Sequence, residues 1–163
     1  MVTHFRPAQA SDLAAIMAIE TAGFSPAEAA TKSSMQARIA AYPETFIVAV
    51  VADQVLGYIV GPAIDQRYLT DELFASAAAN TDTAPYQAVL SLVVAPSRRG
   101  QGLGGQLLAE LAQVATAQHR RAITLTCLER LVSFYEANGY RNEGQSASSH
   151  AGEVWYNMVK SLS

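Results

Sequence analysis

The sequence predicts one α+β (α/β) domain over residues 1–163, a mixed and mostly antiparallel sheet flanked by helices. Three observations predict it. Thr45 to Val51 and Val55 to Val60 are runs of β-branched and aromatic residues parted by Ala52-Asp53-Gln54, the pattern of an antiparallel hairpin. Farther on, an apolar strand breaks at Pro96 and a glycine turn opens a helix with an apolar stripe at Leu103, Leu107, Leu108, Leu111 and Val114. Another strand follows, which makes a strand–helix–strand crossover. Finally, 163 residues of which 50% are hydrophobic and 15% charged can bury a core and are not a disordered chain.

The elements follow in order. Thr3 to Arg6 is a short strand before Pro7. Ser11 is the N-cap of a helix whose face runs through Leu13, Ile16, Met17 and Glu20 to about Ala22, where Gly23 ends it. A second helix covers roughly Ala27 to Ala41, with Met35 and Ile39 on one side, and stops before Pro43. After the hairpin, Ile64 to Leu69 extends the sheet and Asp71 to Ala79 forms a short helix. Ala75 to Ala84 reads as a loose, small-residue surface segment. Tyr86 to Val94 is a strand, and the helix after the glycine turn runs to about Gln118. Ala122 to Leu128 is a strand, Leu131 to Asn138 a helix closed by Gly139, and Tyr140 to Gly144 and Glu153 to Val159 the last strands.

Charge and rare residues narrow the function. A net charge of −3 and a pI near 5.5 argue against a nucleic-acid partner, whose phosphates need a basic surface. The basic doublets Arg98-Arg99 and Arg120-Arg121 are expected to flank the glycine turn as a local anion site. Cys127 is the single cysteine, so no intrachain disulfide or thiolate metal cluster is expected. His4, His119 and His150 have no metal-ligand spacing and are read as surface residues. No apolar run of about 18 residues points to a membrane, and a reducing cytoplasm is the expected compartment.

The glycine turn carries the chemistry. Glycines let the backbone approach a ligand, and the first N–H groups of a helix lack internal acceptors. With the helix dipole they suit a phosphate or pyrophosphate. Gly100-Gln101-Gly102-Leu103-Gly104-Gly105 also satisfies G-x-G-x-x-G, the dinucleotide fingerprint, which alone is unspecific. Ala95 to Arg99 intervene before its first glycine, and too little chain follows Glu129 for further strand–helix repeats. No Gly-Lys-Ser/Thr follows, so the Walker A pattern fails. A loop that uses its glycines only for packing stays open.

Arg99-Gly100-Gln101-Gly102-Leu103-Gly104 after a Val-x-x-Pro strand resembles the acetyl-coenzyme A signature of the GNAT-type N-acetyltransferases. Leu131-Val132-Ser133-Phe134-Tyr135-Glu136-Ala137-Asn138-Gly139-Tyr140 is similar to a second motif of that superfamily. Within it the chain looks most like the arylalkylamine (serotonin-type) enzymes. Phe5-Arg6-Pro7, Ile19 to Ser25, Gly57 to Gly61, Leu92 to Pro96 and Cys127 carry that likeness.

The resemblance implies acetyl-CoA as co-substrate, a small-molecule amine as acceptor and a GNAT-like fold, as monomer or homodimer. It implies that Gly100, Gln101, Gly102, Leu103, Gly104 and Gly105, with Arg99, hold the pyrophosphate. It further implies that Leu92, Val93 and Val94 offer backbone groups to the pantetheine arm, at a bulge that splays the strand from its neighbour; a backbone N–H there would also stabilise an oxyanion. Tyr135 is the implied general acid, since a phenol with pKa about 10 stays protonated at neutral pH; a plain core tyrosine is the competing reading. Phe24 and Trp155 are the implied aromatic walls for the amine, unless the alignment slips by one to Tyr156. Where the vertebrate serotonin-type enzymes carry two histidines, this chain has Ala88 and Leu90. An amine with pKa near 10 is roughly 1% neutral or less at pH 7.5, so its proton must leave through water or through Glu20, Glu28 or Asp65, or the substrate is less basic. Cys127 is read as a buried small hydrophobe. A non-catalytic acyl-CoA-binding module and a nucleotide-dependent oxidoreductase are the other functions the motifs allow.

Overall fold

The expected strand Tyr86 to Val94 is in fact two strands that belong to different sheets, and the rest of the architecture follows from that division. The structure, a computed structural model, describes residues 2–162. β1 (His4–Pro7) leads into α1 (Leu13–Gly23), α2 (Lys32–Ala41), β2 (Phe46–Val51) and β3 (Gln54–Val60). Short β4 (Ala63–Ile64) and α3 (Glu72–Ala75) precede β5 (Tyr86–Val89) and β6 (Ser91–Val94). Then come α4 (Leu103–Ala117), β7 (Ala122–Leu128), α5 (Val132–Ala137), β8 (Arg141–Gln145) and β9 (Trp155–Ser161). One sheet has four strands in the order β1-β2-β3-β6, the other five in the order β4-β5-β7-β9-β8. Among the described strands β5 and β7 form the parallel pair, bridged by α4; the other pairings are antiparallel. A doubly wound parallel sheet, which a dinucleotide site would need, is not what these strands build.

The two sheets meet at a bend shared by both strands of one long antiparallel ribbon. β3 with β6 and β4 with β5 are consecutive stretches of that ribbon. Across the bend Leu90 N–H donates to the Val60 carbonyl at 2.7 Å and Ala88 N–H to that of Pro62 at 2.8 Å. Gly61 lies so close to the other strand that a Cβ there would sit 1.8 Å from the Ala88 carbonyl oxygen. The fully buried Gln87 fixes the corner, its amide nitrogen donating to the carbonyls of Gly61, Pro62 and Ala88. Thr45 hydroxyl closes it with a 2.6 Å bond to the Gly61 carbonyl.

Alternating side chains feed two cores, one on each side of the sheets. Phe46, Val48, Tyr58, Val60, Ala88 and Leu90 pack with Ile16 and Ile19 of α1 and Met35 of α2. Ile47, Ala49, Ile59 and Val89 pack instead with Leu103, Leu107, Leu108 and Leu111 of α4. Past Leu90 the alternation slips by one residue: Val93 joins the first core, while Leu92 and Val94 pack against the second. A one-residue slip in a period-two pattern is a bulge, and it lies where the ribbon bends. It precedes the Leu92 to Val94 stretch where the resemblance implied a bulge; those residues pair in regular register with Gly57 to Ile59 of β3.

Several boundaries differ from the sequence reading. The second helix starts at Lys32 because Ala30 N–H goes to the Glu20 carboxylate at 2.7 Å and Thr31 is the N-cap, accepting from Ser34 N–H. Ser11 is no cap. It sits in a 3-10 turn where Gln9 N–H donates to Asp12, itself ion-paired to Arg6 at 2.8 Å. Residues 65–68 leave the sheet after Ile64 and are exposed, and the helix expected at Asp71 to Ala79 is one turn, Glu72–Ala75. The last strand begins at Trp155, after a turn at His150–Gly152. Arg120 and Arg121 follow the C-terminus of α4 and do not flank the glycine turn; buried Arg120 donates to the carbonyls of Thr81 and Ala84. No helix among the described residues is long and apolar enough to cross a membrane.

The bend gives a direct test. Gly61→Ala places a methyl against backbone that cannot rotate away, so it should destabilise the protein by about 3 kcal/mol or more. Urea unfolding of the two proteins, followed by far-UV circular dichroism, measures it.

Candidate functional site

Beyond the bend, β6 stays with β3 while β7 continues with β9. Val89 opposite Leu125 is the last β5–β7 pair, and Thr126, Cys127 and Leu128 then pair with Asn157, Tyr156 and Trp155 of β9. The facing edges of β6 and β7 diverge, and between them opens a cavity of about 360 Å³. Its floor is Leu90 to Leu92 and Leu125 to Leu128; α1, α2 and the loop between them give Glu20, Phe24, Glu28 and Arg38. Tyr135 of α5, Phe74, His150 and Trp155 complete the wall.

Of the expected residues, the structure thus brings Phe24, Leu92, Tyr135 and Trp155 to one cavity. Trp155 lines it and Tyr156 does not; its indole N–H donates to the His150 carbonyl at 2.9 Å. Val93, Val94 and the glycine turn are not part of the lining. The turn lies at the far end of β6, across a short 3-10 turn at Pro96–Arg98.

The glycines of that turn do two jobs. Gly100 and Gly102 have φ of +76° and +82°, a region that favours glycine, and a Cβ on either would meet nothing within 4 Å. They shape an open backbone. Gly104 and Gly105 are close-packing positions, where a Cβ would lie 3.2 Å from the Phe134 ring and 3.0 Å from the Asn138 side-chain oxygen. These two contacts seat α5 on the first turn of α4. Gln106 N–H is bonded to the Gly102 carbonyl at 3.1 Å, so the helical ladder starts there and the amides just before it lie outside it. Leu103 turns its side chain into the core, and Arg99 is exposed, its Nε reaching the Val94 carbonyl at 3.3 Å. Open backbone, helix N-terminus and adjacent arginines fit a diphosphate.

Tyr135 stands between Phe134 and Tyr140 with edge-on ring contacts of 5.0 and 5.6 Å, and its hydroxyl makes no hydrogen bond to the described residues. Burial, and then the neighbouring Cys127, push its pKa well above the ordinary phenol value, so the hydroxyl keeps its proton. Burial also pushes the Cys127 thiol up to about 11. Where two histidines were absent from the sequence, the structure has fully buried Ala88 and the cavity-lining Leu90. Of the three carboxylates considered, Glu20 and Glu28 line the cavity; exposed Asp65 does not. Glu20 is buried, accepting from the Tyr58 hydroxyl and from Ala30 N–H.

Among the lining residues that the sequence did not assign to a site, His150 and Arg38 stand out. His150 is exposed, as expected, yet it also borders the cavity, stacked on Phe74 at 6.4 Å and tilted to Trp155 at 6.2 Å. Nothing in an irregular loop signals such a position. Arg38 is buried, 3% exposed. Its signal was present: Met35, Arg38 and Tyr42 fall at i, i+3 and i+7, which puts a charge on the apolar face.

Residues 12–162 match the family model described as the acetyltransferase (GNAT) domain. The chain belongs to the GNAT acetyltransferase family. No curated protein matches it by sequence. Among solved structures, the loading GNATL domain of CurA from Lyngbya majuscula superposes with a TM-score of 0.86 at 16% identity, covering 99% of this chain and 98% of that one. The GphF GNAT-like decarboxylase, solved with isobutyryl-CoA, gives 0.85 at 16% identity over 98% and 100%. Arabidopsis thaliana Naa50, solved with the bisubstrate analogue CoA-Ac-MVNAL, gives 0.75 at 17% identity over 99% of each chain. Identities this low speak for the GNAT fold alone.

A thiol held near 11 is not a nucleophile at neutral pH. Cys127 should therefore react with iodoacetamide slowly at pH 7.5, and its rate should rise about tenfold per pH unit toward pH 10 as the thiolate fraction grows. Mass spectrometry of the alkylated protein at each pH reads this out.

Proposed function

We propose that this GNAT protein is an acetyl-CoA-dependent N-acetyltransferase that acylates a primary amine of arylalkylamine type by direct attack in a ternary complex, with Tyr135 as general acid. One observation carries the reading: a tyrosine hydroxyl that burial keeps protonated shares a cavity with the aromatic side chains Phe24 and Trp155. The structural neighbours that hold isobutyryl-CoA and a CoA bisubstrate analogue support the choice of co-substrate.

In this reading the amides of Gly100 to Gly105, with Arg99 beside them, bind the pyrophosphate. The free edge of β6, at Leu92, Val93 and Val94, binds the pantetheine arm. Acetyl-CoA supplies the activated acyl group. Tyr135 Oη donates its proton to the departing sulfur. Its raised pKa is offset in part, because a thiolate forming in the same cavity is desolvated too. Cys127, a thiol in that wall, gauges the effect. On the amine side, the lining carboxylate Glu28 is freer than Glu20, which already holds Tyr58 and Ala30. Direct attack, without an acyl-enzyme, agrees with an inert Cys127. A reducing cytoplasm suits its free thiol.

Acetyl-CoA consumption over tryptamine, phenethylamine, tyramine and aliphatic amines tests the reading. Tyr135→Phe should lower kcat by about 10²-fold or more while acetyl-CoA affinity stays within about twofold. Unchanged kcat between pH 6 and 9 would remove Tyr135 from its role. Tight acetyl-CoA binding with no CoA release from any amine would instead favour a non-catalytic acyl-CoA-binding module.

A further inference from the structure

We propose that the amine accepted by this cavity also carries a carboxylate, and that Arg38 receives it. The inference deepens the acetyl-transfer reading and rests on it for the amine. Arg38 occupies the buried face of α2 with Met35, next to the buried C-cap residue Tyr42, and it lines the same cavity as Tyr135, Phe24 and Trp155. Its Nη2 donates to the Phe74 carbonyl at 3.2 Å. Its Nη1 is buried and has no partner among the described residues. A buried guanidinium normally spends its planar fork on a carboxylate or phosphate, and leaving one of its donors unmet is costly.

Among the described residues no carboxylate forms an ion pair with Arg38. The charged and titratable groups facing Arg38 are Glu20 of α1, Tyr42 at the C-cap of its own helix and Tyr58 of β3. Glu20 is the nearest of these in charge, yet no ion pair joins it to Arg38 among the described residues; its oxygens accept the Tyr58 hydroxyl and the Ala30 amide. The carboxylates Glu28 and Asp71 also border the cavity, each engaged by a serine hydroxyl, Ser25 and Ser148. A wall with one buried cation and separate carboxylates suits a zwitterion: an ammonium-bearing molecule whose anionic group goes to Arg38 and whose ring goes to the aromatic wall. That is the chemistry of an aromatic amino acid, or of an arylalkylamine with a carboxylate on its ring. The planar fork of Arg38 matches a carboxylate in two-point contact, which an ammonium could not provide.

Three amines that differ in the carboxylate test this: phenethylamine, phenylalanine and 4-(2-aminoethyl)benzoate. In the wild type, one of the two acids should exceed phenethylamine in kcat/KM by about tenfold or more. In Arg38→Gln the ratio should fall to about one, and Arg38→Lys, which keeps charge but loses the fork, should fall between. Calorimetry of the same three compounds on the CoA-loaded wild type gives their affinities without turnover, and the same order is expected. Phenethylamine equal to or better than both acids in turnover and affinity overturns the proposal, and so does an acid preference that persists in Arg38→Gln. Should Arg38→Gln fail to fold, the Lys variant and the wild-type comparison still decide. If no amine is acetylated, the acetyl-transfer reading fails, while the affinity order still judges Arg38.

Discussion

The fold depends on a close approach between two backbones, Gly61 against Ala88. At that point no side chain fits between β-ribbon strands, so the ribbon can bend there and hand its two halves to different sheets. Gln87 and Thr45 make the corner rigid by satisfying the carbonyls that the bend turns inward. A flat continuous sheet would pair β6 with β7 along its length and leave no room for a ligand. The cavity is thus a product of pairing geometry, and its side chains decorate a gap that the main chain makes.

The placement of Tyr135 rests on a different contact. α5 is a six-residue helix, too short to hold itself. It is fixed by resting Phe134 and Asn138 on Gly104 and Gly105, and by the ring contacts of Tyr135 with Phe134 and Tyr140. The first turn of α4 therefore has two functions at once: its open backbone faces outward, and its missing side chains admit the helix that carries the hydroxyl. This explains why four glycines stand in six residues and why they differ in φ and in surroundings.

Much of this was legible in the sequence. The hairpin, the crossover, the long helix and the last strands announce themselves through period-two and period-3.6 patterns, and Tyr135, Phe24 and Trp155, singled out by the resemblance, line one cavity. The parts that were not legible depend on partners distant in the chain. Residues 27–31 read as helix until Glu20 takes the Ala30 amide, ten positions away. The place of Arg38 on an apolar helix face shows in the sequence, but its partner does not: Phe74 of α3, whose carbonyl takes its Nη2, lies 36 residues on. The division of Tyr86 to Val94 leaves no mark in composition, because Leu90-Ser91 suits a strand on either side of the slip. His150 reaches the cavity only because Phe74 and Trp155 bracket its ring.

The diverging strands have one more consequence. Unpaired strand edges invite pairing with other molecules, and β6 and the end of β7 present two of them. They face each other across a narrow cleft roofed by helices and loops, where a second polypeptide sheet cannot dock flat against either. The outer edges are blunted in other ways: β1 ends in Pro7, and β8 carries Arg141 and Glu143 and kinks at Gly144, with φ of +103°. The opening that admits a slender ligand thereby also shields its sticky margins from self-association.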